Sequence, residues 1–329
     1  MKKRKTVSYA KYGYLFSLPF VIAFLLFMLY PICYTAFIGF TNLEGPFATE
    51  PQLLEEPWSI FKKLLANDSF KVSIKNTFSI WITNFIPQML LALVLAAWFS
   101  NDRLKIKCKG FFKVVFYMPN IITAATVAIL FGSLFGYPKG PLNDLFIGWG
   151  WYTEPYDFGM DKLASQLVVA FIQFWQWYGY TMIVLISGIL GISPDIFEAA
   201  EIDGANGFQK FMRVTLPNLK TIMLFSLVTS LIGGLTMFDI PKLYNNGGPD
   251  RATTTASLFI YNTAFQGKNR YNTAAAASMI LFVVIVVLSA GIFFLLRDKD
   301  EAALRKAERA RVRDYKRRMR AKRREEAGK

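Results

Sequence analysis

Histidine is absent from all 329 residues, which excludes imidazole acid–base chemistry and removes the commonest protein metal ligand. Cysteine is nearly absent. Cys33 falls inside an apolar run and Cys108 inside a Lys-rich stretch, so no extracellular disulfide framework is available. No G-x-x-x-x-G-K-[ST] loop occurs, and nothing here cradles a nucleotide phosphate. Energy for any work must therefore come from a partner or from an ion gradient. There is no internal repeat, and no soluble domain interrupts the apolar segments.

Hydrophobicity is what the chain has instead: 53% of residues are hydrophobic and 16% aromatic, with a positive mean hydropathy. Crossing a bilayer takes about 20 apolar residues. Six runs reach that length, near 14–40, 76–99, 111–135, 163–190, 222–240 and 274–296. The first is too long for a signal-peptide core and has no small-residue cleavage site behind it, so it reads as a retained span. The expected fold is all-α: a polytopic membrane protein of six transmembrane helices, 14–296, between a basic N-terminus, 1–13, and a basic tail, 297–329.

Charge sets the orientation. With the N-terminus inside, the inner segments 1–13, 100–113, 191–221 and 297–329 hold 28 of the 38 Lys and Arg and 12 of the 23 Asp and Glu. Inner net charge is then +16 and the remainder −1. Lys2, Lys3, Arg4 and Lys5, then Arg103, Lys105, Lys107 and Lys109, are the short-loop charges that weigh most. Both termini are expected in the cytoplasm of a bacterial-type cell membrane. The tail reads as a solvated or disordered segment near anionic lipid headgroups, with a partner-binding tail as the alternative. In the first outer loop, Trp58-Ser59-Ile60-Phe61-Lys62-Lys63-Leu64-Leu65 is an amphipathic stretch expected on the membrane surface. Gly140-Pro141-Leu142-Asn143 and Asn245-Asn246-Gly247-Gly248-Pro249-Asp250 read as turns.

The inner loop 193–217 is the most informative segment. Ser193-Pro194-Asp195 is a helix start: a cap, a proline in the first turn, and an acid at the positive dipole end. Gly204 stands where that helix should turn out. Asn206-Gly207-Phe208-Gln209 restarts as a capped helix with Gln at the capping-box position. Physically this is a helix–turn–helix elbow. Ala199 and Ala200 allow close approach to another surface, and Glu198 offers it a charge. An ordinary interfacial loop helix is the bland alternative.

The spacing resembles the EAA loop of ABC importer membrane subunits: E-A-A, three residues, G, nine residues, I-x-L-P. Glu198-Ala199-Ala200 is followed by Gly204 and, nine residues on, by Val214-Thr215-Leu216-Pro217. Val for Ile is the one departure. Further pieces resemble permeases of the maltose type, among them Leu18-Pro19, Tyr30-Pro31, Asn76-Thr77, Met118-Pro119-Asn120 and Gly247-Gly248-Pro249 with Thr253-Thr254-Thr255. Unlike the maltose permease, the chain carries no large inserted outer domain. The resemblance implies a sugar importer built from two permeases, two ATPase copies that carry the ATP and Mg, and an external sugar-binding protein. It gives this chain no catalytic role, no metal and no cofactor, and it places lipid, not nucleic acid, around it. It assigns ATPase coupling to Glu198, Ala199, Ala200, Asp203, Gly204, Ala205, Leu216 and Pro217.

Polar and aromatic groups inside a span are costly and tend to face a partner helix or a wet cavity. The fourth run holds the densest set, with Gln173, Trp175, Gln176, Trp177 and Tyr180. Aromatic faces stack on sugar C–H faces, and amides both donate to and accept from hydroxyls. An interfacial aromatic belt is the competing reading. By resemblance the substrate path adds Asn120, Ala124, Gly234 and Met237. The last three lack the hydrogen-bonding side chains of the maltose pattern, which points to another sugar or to contacts from Thr123, Thr236 or Asp239. Asp239 has a structural alternative as the partner of Lys242. A phosphate-ester substrate would need a mid-span base, and an ion-coupled transporter a mid-span acid. The third to fifth runs offer no base buried at mid-span, no acid sits at mid-span, and no constellation supports an enzyme.

Overall fold

The computed structural model describes residues 10–45, 50–101, 104, 106–267 and 269–296, with 307–308, 310–315 and 317–319 of the tail. Lys2, Lys3, Arg4, Lys5, Arg103, Lys105 and most of the 297–329 segment lie outside the described residues. Helix α1 (Ala10–Phe24) passes through a π-helical turn at Leu25–Leu29 into α2 (Tyr30–Ile38). Pro31 has no N–H for the regular ladder, and a wider turn absorbs the mismatch. The short α3 (Ser59–Ala66) is followed by the long α4 (Asp68–Ser100), which Asn67 caps by accepting from the Phe70 N–H at 3.2 Å.

The third apolar run was expected to be one span, and the structure breaks it. Helix α5 (Lys109–Ile121) and α6 (Ala124–Leu134) are bent by 92° at Ile122 and Thr123. Both intervening residues are extended, and the Thr123 hydroxyl caps α6 by accepting from the Thr126 N–H at 3.3 Å. Next come α7 (Pro141–Gly148), α8 (Lys162–Leu190), α9 (Pro194–Ile202) and α10 (Gly207–Lys210). A π-helical turn at Phe211–Thr215 leads to α11 (Leu216–Asn218) and then α12 (Lys220–Leu235), the two segments bent by 66°. The fifth run is likewise shorter than expected. It ends at Leu235, and α13 (Asp239–Asn245) starts a new helix. Helices α14 (Ala256–Phe265) and α15 (Tyr271–Leu296) complete the described chain.

Among the described residues four helices are long and apolar enough to cross a membrane, or up to six spans if each bent pair counts as one. The core lies along α4 and α8, where Met89, Ala92, Ala96, Met182, Leu185 and Ile186 interlock. Gly179 lets α5 come close to α8, for a Cβ there would sit 2.1 Å from the Phe116 carbonyl oxygen. Small residues at such crossings are how helices approach when lipid supplies no hydrophobic drive between them. The same logic places Ala276 and Ala277, both 0% exposed, against Ile60 and Leu64 of α3. The amphipathic stretch of the first outer loop is therefore a helix, but its apolar face packs on protein rather than on lipid alone. Gly140-Pro141-Leu142-Asn143 is also more than a turn: Pro141 opens α7 and Asn143 is fully buried.

Candidate functional site

The elbow between α9 and α12 forms as its sequence dictates. The Ala205 N–H reaches the Ala200 carbonyl at 2.9 Å and the Gly204 N–H reaches that of Glu201 at 3.0 Å, which satisfies the end of α9. That closure needs a left-handed residue, and Gly204 supplies it at φ +76°. Asn206 and Gln209 form a reciprocal capping box, each backbone N–H donating to the other's side-chain oxygen at 2.9 Å. Ser193 makes no side-chain cap bond. Its carbonyl accepts from the Ile196 N–H instead, at 3.2 Å. Lys210 and Glu201 pair at 2.7 Å across the elbow.

Phe197, Phe211 and Leu216 anchor the elbow to the α4–α8 core. The opposite side is left open. Ile202 is 88% and Phe208 72% exposed, while Ala199, Asp203, Gly204 and Pro217 are exposed as well. Glu198 lines a cleft of about 570 Å³ between the elbow and the ends of α4 and α8. Ala200, Ala205 and Leu216 are half-buried.

A second cavity, of about 500 Å³, opens where α12 breaks and α8 passes the α5–α6 bend. Gln173, Gln176, Trp177, Tyr180, Thr236 and Asp239 all line it, as do Ala124, Gly234 and Met237. Asn120, Thr123 and Trp175 are not among the lining residues. The Asn120 amide donates to the Gln176 backbone carbonyl at 3.3 Å, Thr123 caps α6, and Trp175 meets Phe131 edge-on with centroids 5.1 Å apart. Gly234 has a packing reason, since a Cβ would lie 2.1 Å from the Trp81 ring. Asp239 is exposed, and the Lys242 ammonium hydrogen-bonds Asn246 at 2.7 Å and lies over the Tyr261 ring.

Five polar lining groups escaped the sequence reading: Gln88, Thr181, Ser226, Thr229 and Ser230. Gln88 donates to the Thr181 hydroxyl at 2.7 Å, and the Trp81 indole N–H to Ser230 at 3.2 Å. Among the described residues the buried Ser226 hydroxyl has no partner. Single hydroxyls in an apolar helix carry no local pattern, and only Gln88 was costly enough to have drawn notice.

The sequence pattern of the family described as "binding-protein-dependent transport system inner membrane component" matches residues 64–300. The chain belongs to that family. It is the permease of an ABC importer, a transport component rather than a catalytic one, and a multi-pass membrane protein. The permease is 30% identical over 292 residues to the lactose transport system permease protein LacF of Rhizobium radiobacter, covering 87% of this chain and 94% of that one. It is 29% identical to the multiple sugar-binding transport system permease protein MsmF of Streptococcus mutans, covering 80% and 87%. Among solved structures it resembles a bacterial ABC transporter for import of the acidic polysaccharide alginate, with TM-score 0.72, 24% identity and coverage of 86% and 94%. The alginate transporter in complex with an alginate pentasaccharide-bound periplasmic protein matches with TM-score 0.70, 25% identity and coverage of 86% and 93%.

Proposed function

We infer that this permease forms half of a carbohydrate translocation pathway and is driven through the 193–217 elbow by a separate ATPase. The bent pair α5–α6 and helix α12 then each count as one span, which gives six, with both termini and the elbow in the cytoplasm, in line with the Lys and Arg distribution. The elbow suits docking because its two helices are fixed internally by the capping box and the Lys210–Glu201 pair, while Ile202 and Phe208 stand free to meet another surface. Unpartnered apolar side chains beside Glu198 and Asp203 mark an interaction site. Two ATPase copies would carry ATP and Mg, a second permease would close the pathway, and a sugar-binding protein would deliver to the outer face.

The observation that carries the substrate class is the 500 Å³ cavity: amides, hydroxyls and three aromatic rings at the breaks of two helices, with the carboxyl of Asp239 and no Lys or Arg. Such a lining fits a neutral saccharide. It does not fit a polyanion, since Asp239 would repel one and nothing would neutralise it. Sugar relatives such as LacF agree in class. Competition uptake in cells that depend on this permease tests the reading. Neutral oligosaccharides should compete for uptake, uronate oligomers should not, and Trp177→Ala should raise the half-saturating sugar concentration. Competition by uronates alone would overturn it.

A further inference from the structure

A third cavity, of about 260 Å³, lies between the segment following Pro249, α14 and the start of α15, and nothing in the transport path uses it. Arg251, Thr254, Asn262, Thr263 and Arg270 line it around the Phe259 ring. Arg251 is a non-glycine residue in the left-handed region, φ +63°. Such a conformation persists only where its surroundings over-determine it. They do so here. The Asn76 amide donates to the Arg251 carbonyl at 2.7 Å, the Gln166 amide to the Ala252 carbonyl at 2.7 Å, and the Arg251 guanidinium itself hydrogen-bonds Ser69. Arg270 is held by its own N–H on the Thr263 carbonyl at 2.9 Å.

Arg251 and Arg270 therefore line one cavity, and among the described residues neither has a carboxylate within ion-pair distance. The neighbouring acid, Asp250, is turned to Lys162, whose hydrogen bond holds the carboxyl below its ordinary range. Asn262 lines the same cavity, and among the described residues its buried Oδ1 has no partner. The complement to this set is a carboxylate that brings an N–H beside it, as an acidic side chain on a peptide backbone does.

We propose that Arg251 and Arg270 form a docking socket for an acidic side chain of the binding protein that delivers sugar to this permease. The proposal rests on the outward placement of the 241–273 region inferred above, and on the family's dependence on a binding protein. A preorganised charged socket sets encounter rate and salt dependence.

The test uses the whole importer in nanodiscs, with ATPase activity followed against concentration of the co-purified, sugar-loaded binding protein. Arg270→Gln, and Arg251→Gln with Arg270→Gln, should raise the half-saturating concentration on the order of tenfold, with the maximal rate unchanged and a shallower salt dependence. Arg270→Lys, which keeps the charge, should recover most of the loss. Unchanged half-saturation and salt slope in both variants would overturn the socket. So would an effect that vanishes when anionic lipids are replaced by phosphatidylcholine, which would assign the cavity to a lipid phosphate. A wild-type importer that the binding protein fails to stimulate would bring down the delivery reading and the socket together.

Discussion

The side-chain amide of Gln176 donates to the backbone carbonyl of Ile122 at 3.1 Å. Ile122 lies at the break between α5 and α6, where a carbonyl has lost its helical acceptor role. In a hydrocarbon setting an unmet backbone group costs several kcal/mol. A side chain 54 residues away in sequence meets this one.

Gln176→Leu should therefore destabilise the fold by about 1–3 kcal/mol. Gln176→Glu should do no better, because an ionised carboxylate cannot donate. Gln173, one turn earlier, has no side-chain hydrogen bond among the described residues and also lines the 500 Å³ cavity. Gln173→Leu should leave the thermal midpoint in detergent unchanged and alter only sugar half-saturation. Equal loss of midpoint in Gln173→Leu and Gln176→Leu would remove the distinction.

Gly179→Ala places a Cβ 2.1 Å from the Phe116 carbonyl oxygen and 2.9 Å from the Tyr117 Cα. Backbone cannot yield as a flexible side chain can, so α5 must move off α8 at a cost of roughly 1–3 kcal/mol. Gly132→Ala is the control, with nothing within 4 Å of the added carbon. Thermal unfolding of the two variants side by side should show a drop in the first only.

Asn143 is fully buried and ties the outer loop to α6. It donates to the carbonyls of Gly136 and Tyr156, each at 3.0 Å, and accepts from the Tyr156 N–H at 2.9 Å. Asn143→Ala strands three backbone groups at once and should cost about 3 kcal/mol. Asn143→Asp keeps the acceptor and should fall between. Limited proteolysis of the 149–161 segment reads the outcome directly: faster cleavage in the order wild type, Asp, Ala.

The elbow was legible in the sequence because its determinants are local. Gly204 at the turn-out and the Asn206–Gln209 pair act within four residues, and both are found as expected. The helix breaks at Ile122–Thr123 and Thr236–Phe238 were not legible, because an apolar run announces length and says nothing of where tertiary partners let it bend. Gln176 is the instance: its aromatic surroundings suggested sugar contact, while its hydrogen bond to Ile122 also gives it a structural task. Trp175 came from the same aromatic cluster, and Asn120 and Thr123 from the family resemblance; the first packs on Phe131, Asn120 hydrogen-bonds the Gln176 carbonyl and Thr123 caps α6.

Gentle solubilisation of the chain from its native membrane, with identification of what is retained, tests the central claim most directly. Wild type should bring an ATPase and a second six-span permease. Gly204→Asp, which forces a side chain into the left-handed turn at φ +76°, should insert normally and keep the second permease but lose the ATPase and uptake. Glu198→Ala should weaken ATPase retention in the same direction. Wild type recovered alone and active under an ion gradient, or Gly204→Asp with ATPase and uptake intact, would contradict the account.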